Sequence, residues 1–138
     1  MIEIKSLVKI FPHKDKNGQF KEKIAVNNLS LNIAKGEVFG LLGPNGAGKT
    51  TTIRMLTLQS KPTSGQILYA GRDIAVSHAK LKSIIGVVPQ HINFDQDLTV
   101  GENLELHARL HHFPASKRRE RINELLSYME LSEVVNDG

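Results

Sequence analysis

The sequence predicts a mixed α/β fold whose final third is helical. Three observations lead there. Two segments near the start alternate apolar and polar residues. A short apolar run at 37–42 enters a glycine-rich loop and then a helical segment. Farther on, Ile122, Leu125, Leu126 and Met129 recur at i, i+3, i+4 and i+7, which is one face of a helix.

Taken in order, residues 2–11 (IEIKSLVKIF) and 24–33 (IAVNNLSLNI) read as strands. The polar stretch 13–23 between them contains Asn17-Gly18, a hairpin signal, so the pair forms an antiparallel ribbon. EVFGLL (37–42) reads as a buried strand that stops at glycines, and KTTTIRMLTL (49–58) as the helix after it. KPTSG (61–65) is a turn and QILYA (66–70) a strand. SHAKLKS (77–83) suits a short helix and IIGVVP (84–89) a further buried strand. Thr99 followed three residues later by Glu102 is a capping-box pattern and opens a helix over about 100–111. Pro114 interrupts it, and a second helix follows over 116–131.

The chain has 138 residues, enough for one hydrophobic core. Its 40% hydrophobic and 23% charged content is that of a soluble globular protein. No apolar run approaches the ~20 residues that span a bilayer, and the charged, alternating start does not read as a secretory leader. There is no cysteine, which excludes disulfides and thiolate metal sites. The net charge of +4 is compatible with anionic partners and equally with a solvated basic face. The same two readings apply to the run KRRER at 117–121.

Gly43-Pro44-Asn45-Gly46-Ala47-Gly48-Lys49-Thr50 matches G-x-x-x-x-G-K-[ST] in full, with an apolar run before it and a helix after it. Each residue type has a physical reason. Glycines let the backbone wrap a phosphate and turn several N–H groups inward. The helix start adds a positive dipole end. Lys49 reaches β- and γ-phosphates, Thr50 offers a hydroxyl to Mg²⁺, and Thr51 can donate to an α-phosphate oxygen.

The loop alone does not distinguish kinases, GTPases, helicases and transport ATPases. Its neighbours do. GEVFGLLGPNGAGKTTTIRML, then PTSGQI, then VVPQ, closely resembles the nucleotide-binding domain of ABC ATPases, in order and over essentially the whole chain. LLGPNGAGKTTT with PTSG most resembles ATP-binding subunits of bacterial drug and sodium exporters. The resemblance implies a phosphate-loop NTPase core with an N-terminal antiparallel β ribbon, the start of a helical subdomain and an incomplete sheet. Residues 1–97 would form the ATP-binding core and 98–138 the beginning of the helical subdomain.

The resemblance also implies roles. Phe11 takes the place of the aromatic that stacks on adenine, although the insert at 13–23 is longer than the usual turn and Phe20 within it competes for the part. Phe11 suits core packing as well. Gln90, ending VVPQ, matches the glutamine that senses Mg²⁺ or the attacking water; its amide can donate and accept without changing charge. Lys49 and Gln90 are then the catalytic candidates, and Thr50 and Gln90 the Mg²⁺ contacts. ATP and Mg²⁺ are the implied cofactors. A transmembrane permease subunit and a second ATP-binding domain are the implied partners, with no nucleic acid expected. The implied location is cytoplasmic, peripheral on the inner face of the membrane. Phe94 and Leu98 lie where the family docks its membrane subunit, and serve equally well as local core. His107 and His111 have i, i+4 spacing, but no acidic third ligand shares their face, so a metal site is not expected.

Phosphoryl transfer to water needs a carboxylate on Mg²⁺, a group placing the water and a group stabilising developing charge. In the family these are a Walker B Asp-Glu, a later histidine and the signature LSGGQ, none of which occurs in this sequence. The chain is expected to stop at Val134-Val135-Asn136-Asp137-Gly138, just ahead of the signature, and to bind nucleotide without turning it over. Without the Walker B strand, EVFGLL is expected to lack a partner on one edge and cover over one face. Two rivals remain: a soluble ABC ATPase of DNA repair or translation, and a non-catalytic ATP-binding remnant.

Overall fold

In the computed structural model the chain is described for residues 1–76, 81–91 and 93–137. It divides into two compact units, Met1–Val87 and Val88–Gly138. The described residues between 88 and 97, grouped with the first part in the sequence reading, fall within the second unit.

The first unit is built on a four-stranded antiparallel sheet in the order β2-β1-β3-β4. Its strands are β1 (Ile2–Lys14), β2 (Phe20–Ile33), β3 (Ser64–Tyr69) and β4 (Arg72–Asp73). The expected ribbon is present, and both strands run farther into the polar insert than alternation indicated. Pairing continues from Phe11 opposite Lys23 to Lys14 opposite Phe20. Antiparallel backbone hydrogen bonds do not require apolar side chains, so a polar hairpin can extend a ribbon beyond the core. Asp15 closes the tip: its carboxylate accepts from the N–H groups of Asn17 (2.9 Å) and Gln19 (3.0 Å), and Lys21 pairs with it at 3.0 Å. These bonds hold the Asp15 carboxyl below its ordinary range, the Lys21 contact contributing most.

Three bulges set which side chains meet the core. Ile4 pairs with Leu31 and Leu7 with Leu29, so β1 carries one extra residue there, at Ser6 with φ 48°. Leu7 pairs with Leu29 and Lys9 with Val26, so β2 carries the next, at Asn28 with φ 49°. Lys9 pairs with Val26 but Ile10 with Ile24, which leaves Ala25 as the third. Each bulge reverses the alternation of its strand. That is how Ile4 and Leu7, three apart, are both buried, and how Val26 shares their face with half-buried Leu29. Across β1, Gly65 lies opposite the Ser6 bulge with φ 86°; a Cβ there would overlap the Ser6 carbonyl oxygen, so β3 closes on β1 only with glycine.

The helix α1 (Lys49–Leu56) packs on this sheet and buries Thr52, Met55 and Leu56. Met55 and Leu56 form the apolar core with Ile4, Leu7, Val26, Leu58, Ile67, Ile74 and Leu81. The Tyr69 hydroxyl donates to the Leu56 carbonyl at 2.6 Å, satisfying one of the carbonyls left over at the end of α1.

Two expected strands do not form. Residues 37–42 and 84–89 have no ladder pairing. Most of their apolar side chains are exposed, Val38 at 100%, Leu42 at 94% and Ile84 at 72%, while Leu41 is half-buried and Ile85 packs partly buried against the core. The apolar runs were legible, but a buried strand needs neighbours on its edges and cover on its faces, and among the described residues neither run is paired on its edges or covered along its length. Of the expected helix 77–83, residues 77–80 lie outside the described residues.

The second unit holds α2 (Val100–Leu110), α3 (Ala115–Tyr128) and a single 3₁₀ turn, Ser132–Val134. Both helices match expectation to within three residues, and Pro114 stands as the N-cap of α3. Of the apolar face read from α3, Leu126 is buried, while Leu125 and Met129 remain exposed.

An exposed apolar surface of this kind favours association. The isolated chain is expected to self-associate in the micromolar range, with light scattering that rises with concentration. Val38→Lys combined with Leu42→Lys should reduce it. A dilute monomer with a single cooperative thermal transition and no association would contradict this expectation.

Candidate functional site

The loop at 43–48 is shaped by three glycines with positive φ: Gly43 at 150°, Gly46 at 85° and Gly48 at 86°. Gly48 is the N-cap of α1 and has no side chain to close the helix start. The Thr52 N–H bonds the Gly48 carbonyl at 2.8 Å, the first bond of the helix. The N–H groups of Lys49, Thr50 and Thr51 therefore have no acceptor within the helix. No acidic residue stands in the first turn to neutralise the dipole. These features together suit an anion.

Gly48 also fixes where that helix start lies. A Cβ on Gly48 would overlap the carbonyl oxygen of Ala25 and crowd Val26 at 3.3 Å. Ala25 is the residue that the third bulge leaves without a partner. The loop thus sits directly on the bulge of β2. Between them lies a cavity of about 420 Å³ lined by Ile24, Ala25, Asn27, Leu41, Gly46 and Lys49.

Lys49 is half-buried, and its ammonium bridges the loop by donating to the carbonyls of Gly43 (2.6 Å) and Pro44 (2.8 Å). An ammonium has three donors, so one is left to bind an anion over the loop. Thr50 is exposed at the same helix start and Thr51 half-buried; Pro44, Asn45 and Ala47 are exposed along the loop.

Register separates the two aromatic candidates. Residues opposite one another in an antiparallel pair share a face. Counting on by twos from buried Leu7 places Lys9, Phe11 and His13 on the core side of the ribbon, with Val26, Lys23 and Lys21 opposite. Phe11 thus shares the face on which α1 and its loop pack, 41% exposed, and its partner Lys23 is two residues from Ala25. Phe20 pairs with Lys14 on the other face, at the hairpin tip, 77% exposed.

Gln90 belongs to the second unit and is exposed. The stretch after it is held by a residue the sequence reading passed over. The Asn103 Nδ2 donates to the carbonyls of Asp95 (2.8 Å), Leu98 (3.1 Å) and Thr99 (3.1 Å), while its Oδ1 accepts from the Asp95 N–H (2.8 Å). An asparagine one turn inside a helix, where it is a poor helix former, was the available signal. Thr99 and Glu102 form the expected capping box: the Glu102 carboxylate accepts from the Thr99 N–H at 2.9 Å and the Glu102 N–H donates to the Thr99 hydroxyl at 3.3 Å. The Gly101 N–H donates to the Val135 carbonyl and the Val100 N–H to that of Asp137, so the last residues close the start of α2. Phe94 and Leu98 line one apolar groove with Val100, Leu104 and His107, about 390 Å³ in volume.

The family model described as ABC transporter matches residues 26–137. The chain belongs to the ABC transporter family. It is 40% identical over 115 residues to daunorubicin resistance ATP-binding protein DrrA3 of Streptomyces coeruleorubidus, an overlap covering 83% of this chain and 36% of that protein. It is 34% identical over 135 residues to the Nod factor export ATP-binding protein I of Cupriavidus pinatubonensis, covering 98% of this chain and 42% of that one. The chain therefore spans well under half the length of these curated relatives. Among solved structures, the dimeric post-hydrolysis state of the ATP-binding cassette MJ0796 bound to ADP and Pi superposes with a TM-score of 0.75 at 28% identity, covering 99% of this chain and 60% of that one. The ribbon, loop and helices are thus those of an ABC ATPase cassette, with a sheet that lacks part of the cassette's strands.

Two carboxylates in the second unit of this ABC chain are held in their charged form by hydrogen-bond partners. Glu102 is held below the ordinary glutamate range, chiefly by the Thr99 N–H. Glu105 is held below it by Arg109 and then Arg118, which joins α2 to α3 at 2.7 Å. Folded-state values lowered in this way contribute stability that is present above the unfolded value of about 4.3 and lost as pH falls through the lowered folded values. Helicity followed by circular dichroism is expected to drop on acidification below about pH 4. Glu102→Gln with Glu105→Gln should flatten that dependence; an unchanged acid profile in the double variant would contradict the assignment.

Proposed function

We propose that this chain is the ATP-binding part of an ABC-type transport ATPase that couples ATP binding and hydrolysis to export across a membrane. The observation that carries the reading is the start of α1, which is uncapped, lacks an acidic residue and is bridged by the Lys49 ammonium. Uncompensated N–H groups and a cation at one point favour a polyphosphate over a neutral ligand. The names of the relatives, which are export and resistance ATP-binding proteins, support ATP and transport.

The residues divide the work by chemistry. Backbone N–H groups from Gly46 to Thr51 take the phosphate oxygens, and Lys49 neutralises the β- and γ-phosphates. Phe11, on the loop side of the ribbon, stacks on the adenine, a contact worth roughly 1–3 kcal/mol. Mg²⁺ bound with the nucleotide would neutralise phosphate charge. Thr50 offers it one hydroxyl, which fits an ion that keeps waters and phosphate oxygens as its other ligands. Gln90 is the second protein group proposed for that ion or for the attacking water. The groove of Phe94 and Leu98 suits an apolar helix of a transmembrane permease. A second ATP-binding domain completes the site, and the complex sits at the inner face of the membrane. Among the described residues, no helix is long and apolar enough to cross a membrane. Hydrolysis requires a carboxylate on the ion and a group stabilising the transition state. We place those groups outside these 138 residues, because the sequence contains neither LSGGQ nor an apolar strand ending in Asp-Glu.

Calorimetric titration with Mg-ATP is expected to show binding that Lys49→Ala weakens by at least tenfold, with no phosphate release by either protein. Loss of a charge-assisted bond of about 1.5–3 kcal/mol sets that scale. Equal affinity in the variant would overturn the site. Phosphate release that disappears in Lys49→Ala would overturn the claim that this chain only binds.

A further inference from the structure

We propose that Lys9 is a positioning residue for the base: it holds the Phe11 ring from one side and leaves the other side for the adenine. This rests on the reading above that Phe11 stacks on the base. Lys9 shares the loop-side face of β1 with Phe11, and its ammonium lies over the ring, 4.9 Å from the centroid. A cation at that distance is attracted to the negative face of the ring. Lys9 is itself held. Its ammonium donates to the Lys61 carbonyl at 2.7 Å, in the turn that leads into β3.

The same turn is stitched to β1 twice more. The Ile10 N–H donates to the Thr63 hydroxyl at 3.0 Å, and the Thr63 N–H to the Val8 carbonyl at 2.9 Å. The segment Val8–Phe11 is therefore fixed to the turn 61–63, and Lys9 transmits that fixation to an otherwise exposed ring. Phe20 provides the contrast. Lys14 lies over it at the same 4.9 Å, yet the ring is at the hairpin tip on the opposite face of the ribbon. A ring held in advance loses less conformational freedom when a base stacks on it. A cation on its far side also occupies the face that would otherwise accept a second, unproductive pose.

The test separates base from phosphate. The chain is titrated with Mg-ATP and with inorganic triphosphate, as wild type, Lys9→Met, Lys9→Arg, Phe11→Ala and Lys9→Met/Phe11→Ala. Lys9→Met should weaken ATP roughly two- to fivefold, the scale of an exposed cation–π contact, and leave triphosphate unchanged. Lys9→Arg, which keeps the cation, should bind ATP as wild type does. In the Phe11→Ala background Lys9→Met should have no further effect. Equal weakening of ATP and triphosphate by Lys9→Met would show a general effect on the fold or the phosphate site and overturn the proposal. An undiminished effect of Lys9→Met without Phe11 would overturn it too, while leaving base stacking intact. Phe11→Ala that leaves ATP affinity unchanged would overturn base stacking itself, and the role of Lys9 with it.

Discussion

The arrangement depends on one close contact: the backbone of Gly48 against the carbonyl of Ala25. A single extra residue in β2 pushes that carbonyl out of the ladder, and a residue with no side chain receives it. The consequence reaches in two directions. Toward the helix, it fixes the start of α1, where uncapped N–H groups and the Lys49 ammonium converge, an arrangement that suits an anion. Toward the ribbon, it ties the loop to the stretch of β2 that faces Phe11. Under the proposed function, base and phosphates of one nucleotide are read by elements far apart in sequence but joined at one bulge.

The ribbon does more than carry the loop. Bulges at Ser6, Asn28 and Ala25 repeatedly reset which side chains face inward, and from Lys9 onward the loop-side face becomes basic and aromatic rather than aliphatic. Farther along the chain, Asn103 performs a comparable service with side-chain bonds. It replaces regular pairing with three donated contacts and one accepted contact, and so gives the stretch after Gln90 a fixed path into α2. In both units, local irregularity is stabilised by one small or polar residue in the right place.

Sequence alone made much of this legible, and unevenly so. The loop motif, the capping box and the Asn-Gly hairpin are local, since each is decided by residues within a few positions of one another, and each appears where expected. The apolar runs at 37–42 and 84–89 were read correctly as apolar and wrongly as buried strands, because burial in a sheet depends on neighbours that periodicity cannot supply. The bulges were invisible, since an extra residue in a strand resembles ordinary loss of alternation. For that reason alternation did not show that Phe11 and Phe20 lie on opposite faces of the ribbon, which the register does. Asn103 and Lys9 were missed because their importance lies in partners, the carbonyls of Asp95 and Lys61, that carry no side-chain signature.

The most direct test is the substitution Gly48→Ala, followed by amide hydrogen exchange and titration with Mg-ATP. The account predicts that β1–β2 amides stay protected while ATP affinity falls by at least tenfold, because the added methyl lifts the loop off Ala25 and forces a positive φ that costs an L-residue about 1–2 kcal/mol. ATP binding as tight as in the unsubstituted chain, with the ribbon equally protected, would contradict it.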